Sequence, residues 1–161
     1  MQENYIDATD VKLLELLQHD ASLSNQALAE SEHVSPPTCL RRIKRLRDAG
    51  LIEREIAVLS PDKLAAALEV GLTALVEISL DRQGAEWLEA FEARVVPDVA
   101  VQQCYRVSPG PDFILLVHVA GMPAYLALAQ RLFTSEANVR NVKAFFSVKR
   151  AKFQPKVLFA H

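Results

Sequence analysis

The sequence predicts an α+β chain built from two unlike parts, and three observations predict it. Residues 8–50 hold three short helical patterns, each with capping residues in front of it. From Val70 the apolar period drops to two. The elements after that point run β-α-β-β-α-β. At 161 residues there is room for two small domains, and 50% apolar with 24% charged residues is ordinary globular composition. No apolar run approaches the length of a bilayer span. The opening MQENYIDATD is acidic and polar, unlike a signal or transit peptide, so a cytoplasmic chain is expected. Cys39 and Cys104 stand isolated, without the spacing of a disulfide frame or a zinc site, so no metal is expected.

Asp7 or Thr9 can cap the first helix, whose Val11, Leu13, Leu14, Leu16 and Leu17 form a broad apolar stripe to about Gln18. HDASLS is a turn. Ser24 caps a short second helix, NQALAESE, burying Ala27, Leu28 and Leu23. The third helix, in VSPPTCLRRIKRLRDAGLI, has its start and stop written in. Ser35 is its N-cap, Pro36 occupies the first helical position and Gly50 can end it left-handed. Pro37 removes another donor, which leaves the Thr38 N–H for the Ser35 hydroxyl. Leu40, Ile43 and Leu46, at three-residue spacing, are the expected buried face. Thr38, Arg41, Arg42 and Arg45 define a second face, with Lys44 and Arg47 on its flanks.

Five of the seven residues Arg41–Arg47 are basic, whereas residues 1–34 carry seven acids and the single base Lys12. A net charge of −2 argues against coating nucleic acid by bulk charge. A focused basic strip on an acidic body instead places one helix on phosphates and bases. A charge run on a helix can be a solvated face and nothing more. Three helices with a short turn between the last two decide against that, because they are a helix-turn-helix, whose final helix enters the major groove. Ser24 and Asn25, at the start of the second helix, are expected on phosphates through free N–H groups.

LIEREIAVLSP alternates through Ile52, Arg54, Ile56 and Val58, which suits a strand or extended connector that pairs with something, such as the same stretch of a second subunit. A short helix follows at Pro61–Leu68. In VGLTALVEISL, Leu72, Ala74, Val76, Ile78 and Leu80 share one side of a strand, with Leu75 on the other. GAEWLEAFEARVV is an amphipathic helix with Trp87, Leu88, Phe91 and Val95 inward. VAVQQCYRVS and FILLVHVA are strands around the turn SPGPD, PAYLALAQRLF is a helix, and VRNVKAFFSVKR is the last strand. Two helices can cover only one sheet face. The other, with Leu75, Tyr105 and Leu116, needs a second copy, so a dimer is expected.

The expected architecture is an N-terminal (winged) helix-turn-helix at residues 1–52, a strand-like hinge at 53–69 and a C-terminal ferredoxin-like βαββαβ domain at 70–161. With IDATDVKLLELLQHDASLSNQALAE, then VSPPTCLRRIKRLRDAGLI, then the βαββαβ half with CYRVSPGPDF, the chain resembles regulators of the leucine-responsive regulatory protein/AsnC (feast/famine) family over nearly its whole length. The resemblance implies a transcription regulator that binds double-stranded DNA and assembles as dimers, often octamers, on the nucleoid. It also implies that the C-terminal domain senses an amino acid or related metabolite. Carried over by position, the recognition helix contributes Thr38, Arg41, Arg42 and Arg45, and the full expected DNA set is Ser24, Asn25, Ser35, Pro37, Thr38, Arg41, Arg42, Lys44 and Arg45. Arg41 or Arg42 is the choice for guanine. The effector set is Tyr105, Val107, Ser108, Gly110 and Asp112, with Asp112 on an ammonium group or, alternatively, capping the FILLV strand. Pro109 and Pro111 remove backbone donors that the family's turn offers to a carboxylate, and Val142 and Ala144 stand where the family often has threonine. That leaves an altered effector, or a purely architectural DNA-binding protein, as alternatives.

Sirohaem decarboxylases resemble this two-domain plan and keep an enzyme reading open. They work with histidine and arginine, but here His118 and Arg106 stand alone in sequence. No catalytic residue, cofactor or membrane partner is assigned.

Overall fold

The structure, a computed structural model, describes residues 6–68, 71–135 and 137–159. Residues 1–5 of the polar opening, the end of the expected hinge at residue 69 and the strand start at Val70 lie outside them. The described residues form two compact units, 6–58 with 153–159 and 59–152. No helix among them is long and apolar enough to cross a membrane.

The first unit holds α1 (Ala8–His19), α2 (Asn25–Ser31) and α3 (Pro36–Asp48). Asp7, not Thr9, caps α1. Its carboxylate accepts from the Asp10 N–H at 2.9 Å, while the Asp10 side chain accepts from the Asp7 N–H at 3.2 Å, a reciprocal capping box. The α2–α3 turn closes with Val34 N–H on the Ala29 carbonyl and His33 N–H on Glu30. His33 sits at φ +52°, where glycine is usual. Ser35 caps α3 by accepting from the Thr38 N–H. Gly50, at φ +73°, ends α3 with Leu51 N–H on the Leu46 carbonyl and its own N–H on Arg47.

Leu13, Leu28, Ala29, Cys39 and Ile43 form this unit's core, with Leu16, Leu17, Leu23 and Val34 packed against them. The buried stripe of α3 is Cys39, Ile43 and Leu46. Leu40, expected inside, is 57% exposed. Steps of three drift backward around a helix of 3.6 residues per turn, whereas steps of four and three hold a face. The smaller cysteine is on that line. The last residues, expected with the second domain, dock here: Val157 donates its N–H to Gln18 Oε1 (2.7 Å) and accepts from Gln18 Nε2 (3.3 Å).

Residues 53–60 run without helix or ladder, so the expected strand-like hinge is extended chain. The second unit holds α4 (Pro61–Leu68), β1 (Leu72–Leu80), α5 (Ala85–Val95), β2 (Val101–Arg106), β3 (Phe113–Val119), α6 (Met122–Ala129) and β4 (Val139–Phe146). A π-helical turn, Gln130–Thr134, widens the end of α6 and keeps Leu132 and Phe133 in the core. The sheet order is β2-β3-β1-β4, all neighbours antiparallel.

Ala74, Val76, Ile78 and Leu80 of β1 and Phe113, Leu115, Val117 and Val119 of β3 are buried under α5 and α6 with Phe91, Val95, Tyr125 and Leu128. Trp87, expected inward, is only half-buried, with the Arg82 guanidinium 4.8 Å from its ring centre. On the other face Leu75 is opposite Leu116 of β3 and Phe145 of β4, and Tyr105 is opposite Ile114. Leu75, Tyr105 and Phe145 are 44, 55 and 45% exposed.

Candidate nucleic-acid interface and effector site

The cationic helix α3 does not present all its bases alike. Asp10, at N3 of α1, lies on the same stripe as Leu13, Leu14 and Leu17. It is the one buried charged side chain among the described residues. A carboxylate taken out of water needs cations and donors. Arg42 Nη1 supplies both, 2.9 Å from Asp10 Oδ1 and 2.7 Å from Asp7 Oδ2, and Arg45 Nη2 bonds Asp10 Oδ2. The Asp10 backbone N–H first, and then the Arg42 guanidinium, hold the Asp7 carboxyl below the ordinary aspartate value. Asp7 and Asp10 in turn push Arg42 upward. Thus Arg42, expected on the groove-facing side, is turned toward α1 with 26% of its side chain exposed, and Arg45 occupies the flank with 49%.

At about 100° per residue, the line opposite the Cys39–Ile43–Leu46 stripe runs through Pro37, Arg41 and Lys44. Lys44, expected at the margin, is central. Arg41 and Lys44 are exposed and make no ion pair or hydrogen bond among the described residues. Arg47 is engaged by Glu55. The Thr38 hydroxyl accepts from Ser35 at 2.9 Å, so these two act together at the helix start. Ser24 caps α2, accepting from the Ala27 N–H at 3.1 Å. Asn25, expected free for phosphate, instead donates its amide to the Pro36 carbonyl at 2.8 Å and ties the start of α2 to the start of α3. Its Oδ1 is buried with no hydrogen-bond partner among the described residues.

The structure brings the nine expected DNA residues into one helix pair, then sorts them. Arg41, Lys44 and Pro37 point out, Ser24, Ser35, Thr38 and Asn25 hold helix starts, and Arg42 and Arg45 are paired to α1. Sequence reading missed Asp7 and Asp10 as their holders. The available signal was an acid on the apolar stripe of α1.

The five expected effector residues gather around the β2–β3 turn. Ser108 and Gly110 are exposed at its tip, Gly110 with φ +122°, and Val107 is half-buried beside Asp112. Val107 N–H donates to the Asp112 carbonyl at 3.0 Å, and Asp112 N–H to Ile78 at 2.8 Å. Asp112 Oδ2 accepts from the Leu80 N–H at 2.7 Å, closing the end of β1. Tyr105 stands on the open sheet face, its hydroxyl 3.2 Å from Gln103 Oε1. Val142 and Ala144 are opposite Ile78 and Val76 and pack on the helix-side core, not on the turn.

A winged helix-turn-helix DNA-binding model matches residues 6–53, and the Lrp/AsnC ligand binding domain model matches 73–157. The chain belongs to the Lrp/AsnC family. Like the family's regulators it joins a helix-turn-helix DNA-binding domain to a ligand-binding domain and acts on transcription. It is 34% identical over 148 residues to the DNA-binding transcriptional activator DecR of Escherichia coli, spanning 92% of this chain and 95% of that protein. An AsnC family transcriptional regulator from Agrobacterium tumefaciens superposes with a TM-score of 0.80 at 30% identity, over 94% of this chain and 96% of that one. A Neisseria meningitidis transcriptional regulator solved as an L-Met complex gives 0.81 at 30% identity, over 96% and 97%. The sheet and helices of the second unit are accordingly the family's ligand-binding domain, and the fold expected from the sequence is the fold found.

Proposed function

We propose that this Lrp/AsnC regulator reads DNA with Arg41 and Lys44, aided by Pro37, Thr38 and the outer edge of Arg45, and uses Arg42 chiefly to hold α3 on α1. The observation that carries this is the burial of Asp10 between two arginines, which leaves Arg41 and Lys44 as the uncommitted cations of the outward line. Arg41 is suited to a bidentate contact with guanine and Lys44 to phosphate. Ser24 and Ser35, at the two helix starts, are placed for backbone phosphates. Asn25 acts by bracing the two starts.

The test is binding to a duplex selected by the protein from a random-sequence pool. Arg41→Gln is expected to relax the preference at one base pair by about 1–3 kcal/mol. Lys44→Gln is expected to lower the salt slope by about one unit while keeping sequence preference. Unchanged binding by the folded double variant overturns the reading.

The row Tyr105–Ile114 and Leu116–Leu75–Phe145 supports assembly face to face with a second copy, giving a dimer on paired half-sites and a base for higher assembly. The working place of such a protein is the nucleoid in the cytoplasm. The relative solved with L-Met supports an amino acid or similar metabolite as effector, with Tyr105, Val107, Ser108, Gly110 and Asp112 around it. A second reading, DNA architecture without an effector, is favoured by one observation: an Asp112 oxygen is already taken by the Leu80 N–H. Thermal-shift measurements against the amino acids and their keto acids separate the two. A stabilising hit that also changes assembly supports sensing. A flat panel supports the architectural role.

A further inference from the structure

We propose that the C-terminal strap from Lys149 to Lys156 is a second DNA-phosphate contact, its far end tied to the DNA-binding unit by the bonds of Gln18 to Val157. Charge is divided along this chain more sharply than its net value suggests. Of 18 bases and 20 acids, six bases and no acid lie in residues 137–161. That leaves 12 bases against 20 acids, net −8, in residues 1–136. Such an asymmetry marks a segment with a polyanionic partner. The residues 147–158 are exposed and belong to no helix or strand, so their cations are not the decorated face of a packed element. Lys149 and Lys152 make no ion pair or hydrogen bond among the described residues. Arg150 is occupied, donating to the Leu59 carbonyl at 3.2 Å, and the strap does not need it.

The strap is anchored where a duplex would be met. Gln18 binds both backbone groups of Val157, and the Lys156 ammonium lies 3.4 Å from His19 Nδ1. His19 ends α1, and a turn closed by Asp20 on the Ser22 N–H and hydroxyl leads straight to Ser24 and Asn25. Asn25 is bonded to the start of α3. The anchor is therefore one compact turn from the two helix starts that approach the phosphates in a helix-turn-helix. Lys152 is four residues before Lys156, within about 14 Å of it along the chain. A lysine tethered this way acts as a point charge. It adds affinity and salt dependence without reading sequence.

This rests on the DNA-binding reading of α3, so the experiment separates the two. The full chain and its Lys149→Gln/Lys152→Gln/Lys156→Gln variant are titrated with a fluorescent mixed-sequence duplex of some 40 base pairs between about 50 and 200 mM salt. The variant is expected to lose two to three units of slope, about 0.9 for each phosphate released, and to keep its base preference on the selected duplex. Gln18→Ala, which changes no charge, is expected to weaken binding to the same mixed-sequence duplex. The proposal is overturned if the folded triple variant keeps the wild-type slope while Arg41→Gln/Lys44→Gln lowers it. It is equally overturned if the triple variant shifts the protein's mass in solution at constant slope, because the strap would then serve another copy's acidic surface. Unchanged slope in both variants overturns the strap contact and the reading of α3 together.

Discussion

Replacing Asp10 tests how the DNA-binding unit is held together. Its buried carboxylate accepts from Arg42, Arg45 and the Asp7 N–H, so three bonds to a charged group end at one side chain. Removing one partner of a buried ion pair costs about 3–5 kcal/mol. Both guanidiniums keep contact with water here, which puts Asp10→Ala at the lower end, about 3 kcal/mol. Asp10→Asn keeps an acceptor but no charge, and about 2 kcal/mol is expected. In a domain of some 60 residues each kcal/mol moves the melting temperature by roughly 4–8 °C. Far-UV circular dichroism follows the helices of both units, whereas fluorescence follows Trp87, which belongs to the second unit alone. Asp10→Asn is expected to bring an early helical transition and leave the Trp87 transition in place. A double-mutant cycle with Arg42→Gln is expected to show coupling above about 1 kcal/mol. A variant that melts with the wild type would refute the argument that Asp10 binds α3 to α1.

Acid should loosen the same contact. Asp7 is held below the ordinary aspartate value, so its contribution is complete above about pH 4 and is lost as pH falls through its lowered value. Urea titrations of wild type and Asp7→Asn should therefore differ near neutrality and converge on acidification. His33→Gly, at a left-handed position, is expected to raise stability by up to about 1 kcal/mol, read as a higher urea midpoint at unchanged slope. Leu75→Glu with Phe145→Glu places two carboxylates in the open apolar row. The mass measured by light scattering is expected to fall to that of one chain.

What could be read beforehand was what neighbouring residues decide among themselves. Ser35, Pro36 and Gly50 announce the third helix because capping is chemistry within one turn. The alternation through Ala74, Val76 and Ile78 announces β1 because a strand repeats every two residues. The side of α3 was harder, since Leu40 is more apolar than Cys39 and only the true helical period tells them apart. Contacts between distant residues were not legible: Arg42 finds Asp10 across 32 positions. The excess of acids in residues 1–34 hinted at a counter-charge without naming it. Nor did anything local connect Val157 with Gln18. At the β2–β3 turn, both roles weighed for Asp112 used the same residue type, and its bond to the Leu80 N–H at the end of β1 is a third role that joins residues 32 positions apart.

Because the tail returns to the helix-turn-helix, that module is written in two places along the gene. A chimera that transplants residues 1–58 between relatives would leave Gln18 facing a foreign C-terminus. Exchanging the last nine residues with them should restore the fit.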